Sequence, residues 1–404
     1  MSDSNLPACR LCGHRDHWLG EHLAEVHGVP VEKYLQDFPG APLVSEEAIV
    51  QTKSVTVPRG HPPAPESLST TFAGIRVPVN ADVPESACLP LPKHYRVPQY
   101  GELALEVKEA TIAFVKRRSV YIWGMPGSGK DAAVHAFSSM TRTPGKMFQV
   151  QPSADIQAWF FTCEFDQHGT RWEEGELLKA LRDGYVAPSG RRVPYIILIT
   201  DFDRATKEQA EALRLVMDSI EGRVMGPRGV VFQVLPGTQV IVTANTAGAG
   251  DARGRCTSAN VVDASILDRF ERAYEFHWMD WRDEEVIVKA KFPLLVEKCP
   301  GVFPQAGTVT GALRAAIKAD DLFAEFSHRG LCSWLGAGED IVGVTDTVPV
   351  DLLKRALRAV TDKMPDAETR DNAIRIADPH LTGGTLPAGS APAGRLPRGG
   401  TVPR

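Results

Sequence analysis

Two short stretches of this chain place reactive residue types at spacings that chemistry uses. The first is Gly124-Met125-Pro126-Gly127-Ser128-Gly129-Lys130-Asp131, which follows the apolar run Val120-Tyr121-Ile122-Trp123. Its glycines let backbone N–H groups close around phosphate oxygens, and Lys130 would reach the β and γ phosphates of a nucleotide. A helix expected from Asp131 to Met140 points its positive end at the same anion. One letter departs from the pattern: Asp131 stands where a Ser or Thr hydroxyl would bind magnesium. The second stretch is Cys9-x2-Cys12-x9-His22-x4-His27, a spacing suited to a tetrahedral structural zinc site. His22 and His27 would come from a helix over Trp18 to Val26 and its end, with His14 and His17 as alternative ligands.

Strands must carry the first motif, and the apolar runs supply them. Buried strands are expected at Val120 to Trp123, Tyr195 to Thr200 and Val240 to Ala244, with amphipathic helices between them. That alternation implies an α/β fold with a parallel sheet and right-handed crossovers. Composition divides the rest. Residues 1–40 form a zinc-finger module, and 41–73 a Pro- and Ser-rich linker with Pro62-Pro63-Ala64-Pro65 near its centre. Residues 74–282 form the nucleotide-binding domain and 283–376 a helical lid. Residues 377–404, rich in Pro, Gly and Ala, read as a disordered tail.

With 404 residues the chain has ample length for a large core, and its formal charge of −5 gives no global reason to expect nucleic acid or membrane. No apolar run reaches the length of a membrane span. The polar, acidic start lacks a signal-peptide pattern, and the scattered, odd-numbered seven cysteines suit a reducing cytoplasm.

The acids that a phosphate loop needs would follow the second strand, in Ile197-Leu198-Ile199-Thr200-Asp201-Phe202-Asp203-Arg204-Ala205. Here the chain resembles the AAA+ ATPases of the MoxR branch, and within them the small subunit of aerobic cobalt chelatase. That family reads Asp-Glu-x-Asn/Asp-x-Ala at this point. Asp201 therefore falls on the catalytic glutamate position, Thr200 on the magnesium-linked aspartate and Asp203 on the Asn/Asp. Val242-Thr243-Ala244-Asn245-Thr246-Ala247-Gly248-Ala249-Gly250-Asp251 is similar to the segment carrying the sensor-1 Asn. Leu267-Asp268-Arg269-Phe270 resembles the motif whose Arg reaches a neighbouring subunit, and Ser327-His328-Arg329 the Ser-Pro-Arg that places the sensor-2 Arg. The likeness spans about Phe72 to Thr361 and implies an AAA+ P-loop NTPase fold with a small helical lid.

The resemblance also implies ATP and Mg²⁺ as cofactors, a ring-forming homo-oligomer that is expected to be a hexamer, and a protein partner of von Willebrand A type. Lys130, Asp201, Asn245, Arg269 and Arg329 would be catalytic, with Gly124 to Asp131, Thr200 and Asp203 holding nucleotide and metal. Arg253, Arg255 and Arg272 are weaker candidates for the trans role. Hairpins at Phe160 to Glu176 and Val224 to Gly237 would face a central channel.

The departures define the open question. Asp131 and Thr200 read as an exchange of the usual hydroxyl and carboxylate, with Asp131 on Mg²⁺ and Thr200 donating to Asp131. Asp for Glu at 201 shortens the arm by one methylene, about 1.5 Å, a misplacement able to cost on the order of a hundredfold in rate. Asp203 could compensate, and the alternative is a nucleotide-binding scaffold without hydrolysis. The finger and its continuation, Gly28 to Leu35, resemble zinc fingers of the Ros/MucR type. Within residues 1–40, Arg10, Arg15 and Lys33 face Asp3, Asp16, Glu21, Glu25, Glu32 and Asp37. Excess acid favours a protein-docking or structural finger over a nucleic-acid-binding regulator, which stays as the rival reading.

Overall fold

The computed structural model describes residues 8–14, 19–29, 31–39, 41, 68–166, 169–217, 223–225, 231–250, 259–345 and 347–381. The chain forms two compact units, residues 1–66 and 67–404.

The larger unit is built on five parallel strands. These are β1 (Val120–Trp123), β2 (Gly145–Gln149), β3 (Ile196–Thr200), β4 (Gln239–Ala244) and β5 (Arg272–Glu275), in the order β5-β1-β4-β3-β2. Every residue of β3 and β4 is buried, as expected of central strands covered on both faces. Alternation then sorts their side chains. Val120, Ile122, Ile196, Leu198 and Ile241 enter one core with Phe114 and Phe137, while Tyr121, Ile197, Ile199, Val240 and Val242 enter the other with Phe202 and Leu213. The helix Gly101–Val115 covers the first face with Leu103, Val107, Ala110 and Phe114, an apolar stripe at helical spacing. Each strand expected from sequence lies within one residue of its observed bounds.

A hairpin, Ser69–Phe72 paired with Ile75–Pro78, opens this unit. Its first strand falls inside the stretch expected as linker, because Phe72 and Val77 are buried beside Phe137 in the first core. The two expected channel hairpins form as Phe161–Asp166 with Gly169–Glu174, and Arg223–Met225 with Val231–Gln233.

Six helices, from Trp281–Lys291 to Ala367–Leu381, enclose a separate core around Phe303, Phe326, Leu331, Trp334 and Leu335. The last helix runs past the tail boundary expected at residue 377, because Ala373 and Ala377 are buried against the lid and Asp378 pairs with Lys354 at 3.0 Å. The remaining expected tail and most of the linker lie outside the described residues. No described helix is long and apolar enough to cross a membrane.

The smaller unit packs helices Gly20–His27 and Val31–Asp37 around Cys9, Leu19, Leu23 and Tyr34. The first helix sits about a turn-fraction later than expected, ending on His27 itself.

Candidate functional site

The phosphate loop leaves β1 at a backbone that only glycine permits. Gly124 has φ 149°, and a Cβ there would lie 2.2 Å from the carbonyl oxygen of Phe276. A Cβ on Gly127 would meet the Cβ of Ser327 at 2.6 Å, so the lid rests directly on the loop. Gly129, left-handed at φ 87°, caps the helix Lys130–Thr141. The N–H groups of Lys130, Asp131 and Ala132 therefore open that helix with no acceptor inside it. Ser128 is buried in the loop, and its Oγ has no partner among the described residues. A cradle of open donors with an orphaned hydroxyl fits phosphate oxygens.

Lys130 Nζ donates to the carbonyls of Gly124 (2.7 Å) and Met125 (3.2 Å) and to Asn245 Oδ1 (3.3 Å). Its ammonium thus sits between the loop and the residue just past β4. Asn245 also donates its backbone N–H to Asp203 Oδ2 at 2.9 Å. Asp203 is almost wholly buried, with Oδ1 unpartnered among the described residues. Burial first, and the neighbouring Asp201 charge after it, push its carboxyl above the usual range, against the Asn245 N–H and Lys130.

Asp131 takes a hydroxyl donor, but not the expected one. Thr243 Oγ1 donates to Asp131 Oδ1 at 2.6 Å, in place of the bond expected from Thr200. The sheet order explains the change: β4 lies next to β1, and β3 is one strand further out. Thr200 ends β3, buried. The spacing of two between Thr243 and Asn245 was the available signal, since alternate strand residues share a face. Asp131 Oδ2 carries no hydrogen bond among the described residues, so a carboxylate oxygen remains for a hard cation such as Mg²⁺.

Asp201 adopts the left-handed conformation, φ 56° and ψ 37°, and accepts a hydrogen bond from Gln149 Nε2 at 2.8 Å. Gln149 ends β2 directly opposite Thr200. Sequence reasoning missed it, because the partner strand is known only once the sheet is ordered.

From the lid side, Ser327 caps the helix His328–Val344 and Arg329 follows in its first turn. Arg329 lines a cavity of about 520 Å³ with Pro126, Ser327, Ser333, Lys363 and Met364. Trp278 Nε1 donates to the Pro126 carbonyl at 3.4 Å, a second tie between lid approach and loop.

Arg269 is not brought to this site. Its carbonyl accepts from Ser119 Oγ at 3.4 Å, at the foot of β1, whereas the phosphate loop leaves the strand's other end. The four residues of β1 separate Ser119 from Gly124, five steps of about 3.3 Å or about 16 Å. Arg272 begins β5 at the same foot, and Arg253 and Arg255 lie outside the described residues.

In the small unit the four expected ligands converge. All four ligand atoms of Cys9, Cys12, His22 and His27 lie within 4.8 Å of one another. Cys12 Sγ stands 3.1 Å from His22 Nε2 and 3.3 Å from His27 Nε2, and the two nitrogens are 3.2 Å apart. Two imidazole nitrogens and a sulfur crowded so closely suit a shared cation better than any set of mutual hydrogen bonds. Gly13 N–H closes the knuckle on Cys9 O at 2.7 Å. His14 stacks on the His22 ring at 4.3 Å and stands outside the ligand set, while His17 is outside the described residues.

Residues 119–270 match the family described as the AAA domain, dynein-related subfamily. This segment is thus similar to AAA domains. It holds β1 to β4, the phosphate loop, Asp201, Asn245 and Arg269, so the loop and the residues around it lie within the matched segment. No curated protein matches the chain in sequence. Among solved structures, the chain is similar to a single-residue variant of RuvB from Thermotoga maritima. Identity is 14% and TM-score 0.40, over 63% of this chain and 68% of that one. The Thermotoga maritima RuvB Holliday junction branch migration motor aligns at 14% identity and TM-score 0.38, over 64% of this chain and 67% of that one. Superposition at this level is loose, and nothing of RuvB's work carries over.

Proposed function

We propose that the chain is an ATP-hydrolysing AAA+ remodelling motor of the MoxR type, working as a ring on a protein partner. The observation that carries this reading is the separation of Arg269 from the phosphate loop of its own subunit. An arginine at the foot of β1 serves a nucleotide only if another copy brings it there, which makes the complete site a property of the oligomer.

Within one subunit the loop amides, Ser128 and Lys130 would hold the phosphates of ATP. Asp131, steadied by Thr243, would hold Mg²⁺, which supplies charge neutralisation on the phosphate oxygens. Asn245 and Asp201 would orient an attacking water, and Arg329 would approach from the lid. The small unit, stapled by zinc, is read as a protein-docking finger on account of its excess acid; the hexameric state, the von Willebrand A-type partner and a cytoplasmic location are part of the same proposal.

Mixing two inactive variants tests it. Lys130→Ala removes the phosphate ligand of one subunit, and Arg269→Ala removes the arm offered to a neighbour. Mixed assemblies should recover part of the phosphate release that neither variant shows alone, since some interfaces then pair an intact loop with an intact arginine. No recovery on mixing, with both variants folded and oligomeric, would sink the trans assignment. A second reading, ATP binding without hydrolysis, is favoured by Asp201, whose short side chain is already engaged by Gln149. ATP-dependent ring formation with background phosphate release would select it.

A further inference from the structure

One polar cluster in the lid takes no part in the site above. On the helix His328–Val344, Cys332 Sγ lies 3.3 Å from His328 Nε2, one helical turn away on the same face. His328 Nδ1 lies 2.8 Å from Glu284 Oε1, on the helix Trp281–Lys291. Glu284 is fully buried and is gripped through both oxygens by Arg314, at 2.7 and 2.9 Å. The sulfur, imidazole and carboxylate are therefore in line, with the imidazole oriented by the acid behind it. This is the arrangement that activates a cysteine.

Charge balance points the same way. Arg314 already neutralises Glu284, so a protonated His328 beside the pair needs a further anion. Cys332 is the group positioned to be that anion, and Lys291 faces it from the neighbouring helix. Burial opposes the charge on His328, yet Cys332 and Glu284 hold its pKa up to about 9. Burial likewise opposes the thiolate, while His328 and then Lys291 bring the Cys332 thiol below its ordinary range.

The cluster is joined to the phosphate loop. Arg314 stacks 5.3 Å over Trp278, whose N–H reaches the Pro126 carbonyl, and Ser327, next to His328, abuts Gly127. We propose that Cys332 is a modification site, a thiolate oxidised by hydroperoxides, whose oxidation loosens the lid's hold on the phosphate loop. The sulfur attacks one peroxide oxygen, and the S–O bond forms as the O–O bond breaks. Sulfur gives up two electrons and becomes the sulfenic acid, and the departing hydroxide takes the His328 proton and leaves as water. The product holds a neutral sulfur and a neutral imidazole, so the Nδ1–H bond to Glu284 loses its charge and the anchor of the helix start, with Ser327 at its cap and Arg329 in its first turn, is weakened.

The effect on nucleotide rests on the functional reading above; the reactivity does not. Zinc-loaded full-length protein is treated with hydrogen peroxide in the presence of a sulfenic-acid-specific dione, and each cysteine peptide is followed by mass spectrometry. Cys332 should be labelled about tenfold faster than Cys163 or the buried Cys299, and His328→Gln should remove that advantage. In the unmutated protein, alkylation of Cys332 by iodoacetamide should reach its plateau below the usual thiol range, about pH 8.5. Labelling of Cys332 no faster than Cys163, or an alkylation midpoint in the usual range, overturns the thiolate. The affinity for a fluorescent ATP analogue should fall about tenfold on oxidation of the unmutated protein and stay constant in Cys332→Ser. Unchanged affinity with Cys332 fully sulfenylated overturns the coupling. Absence of analogue binding before any peroxide overturns the nucleotide reading, and with it the coupling, while the labelling rates still decide the thiolate.

Discussion

The two units of this chain hold their functional residues in opposite ways. In the small unit the candidate ligands would hold the fold: Cys9, Cys12, His22 and His27 gather beside a described core in which Cys9 itself is buried with Leu19, Leu23 and Tyr34, too little to hold the segment together by burial. In the large unit the sheet is fixed by two apolar faces, and the chemistry sits on loops at the strand ends, outside both cores. A site residue there can be lost with little cost to the fold. The difference teaches where to look for damage: metal removal should unfold one unit and spare the other, while site mutations should silence the other without unfolding it.

The largest effect is expected from Cys12→Ser or chelation. Structural zinc in such modules contributes roughly 10–16 kcal/mol, more than any small core supplies. Amide exchange protection around Leu23 should vanish, while affinity for an ATP analogue is unchanged. Protection that survives chelation would break the contrast between the units.

Next is Lys130→Ala, expected to cut phosphate release by roughly a hundredfold, as for removal of a single charge-stabilising donor. Its melting temperature should hardly move. A large drop in stability would show that the loop lysine belongs to the core after all.

Thr243→Val sharpens the reassigned hydroxyl. A hydrogen bond to a charged group contributes about 1.5 kcal/mol, so Mg²⁺-dependent ATP affinity should weaken about tenfold. Thr200→Val should change it less. Equal effects would return Thr200 to the role expected of it.

The smallest change is in Asp203→Asn. A carboxyl whose folded pKa is raised contributes stability in acid, below the ordinary aspartate range, and loses it as pH rises through the folded value. At neutral pH the ionised buried group is therefore a net cost, and its amide should stabilise by about 1 kcal/mol. That corresponds to a rise of about 2–4 °C in melting temperature. The gain should shrink as pH falls through the raised folded pKa and be lost below the ordinary aspartate value, about 3.9, where the carboxyl is protonated in both states. A gain that is constant with pH would place the effect elsewhere than in the charge.

Much of the large unit was legible because its signals are local. Val120–Trp123, the glycines after it and Lys130 declare a strand, a tight loop and a helix start in eleven consecutive residues. The Cys/His spacing was legible for the same reason. The partner of Asp131 was not: Thr243 lies 112 residues away, and only the strand order puts it nearer than Thr200. Gln149 at Asp201 was hidden likewise, by pairing between β2 and β3. The lid cluster escaped notice for a further reason. Cys332 and His328 are a readable helical pair, but the acid that gives the pair meaning, Glu284, comes from another helix.

Amino-acid order alone thus determined which residues are candidates to hold phosphate and metal, because backbone freedom at Gly124 and ligand spacing at Cys9 and Cys12 act over one or two turns. Tertiary structure decided who stands beside them. It set Thr243 rather than Thr200 on Asp131, and it carried Arg269 to the far end of β1, away from the phosphate loop. The physical reason is that hydrogen bonds reach about 3 Å, while the sheet order that brings donors and acceptors so close is settled by burial of whole faces.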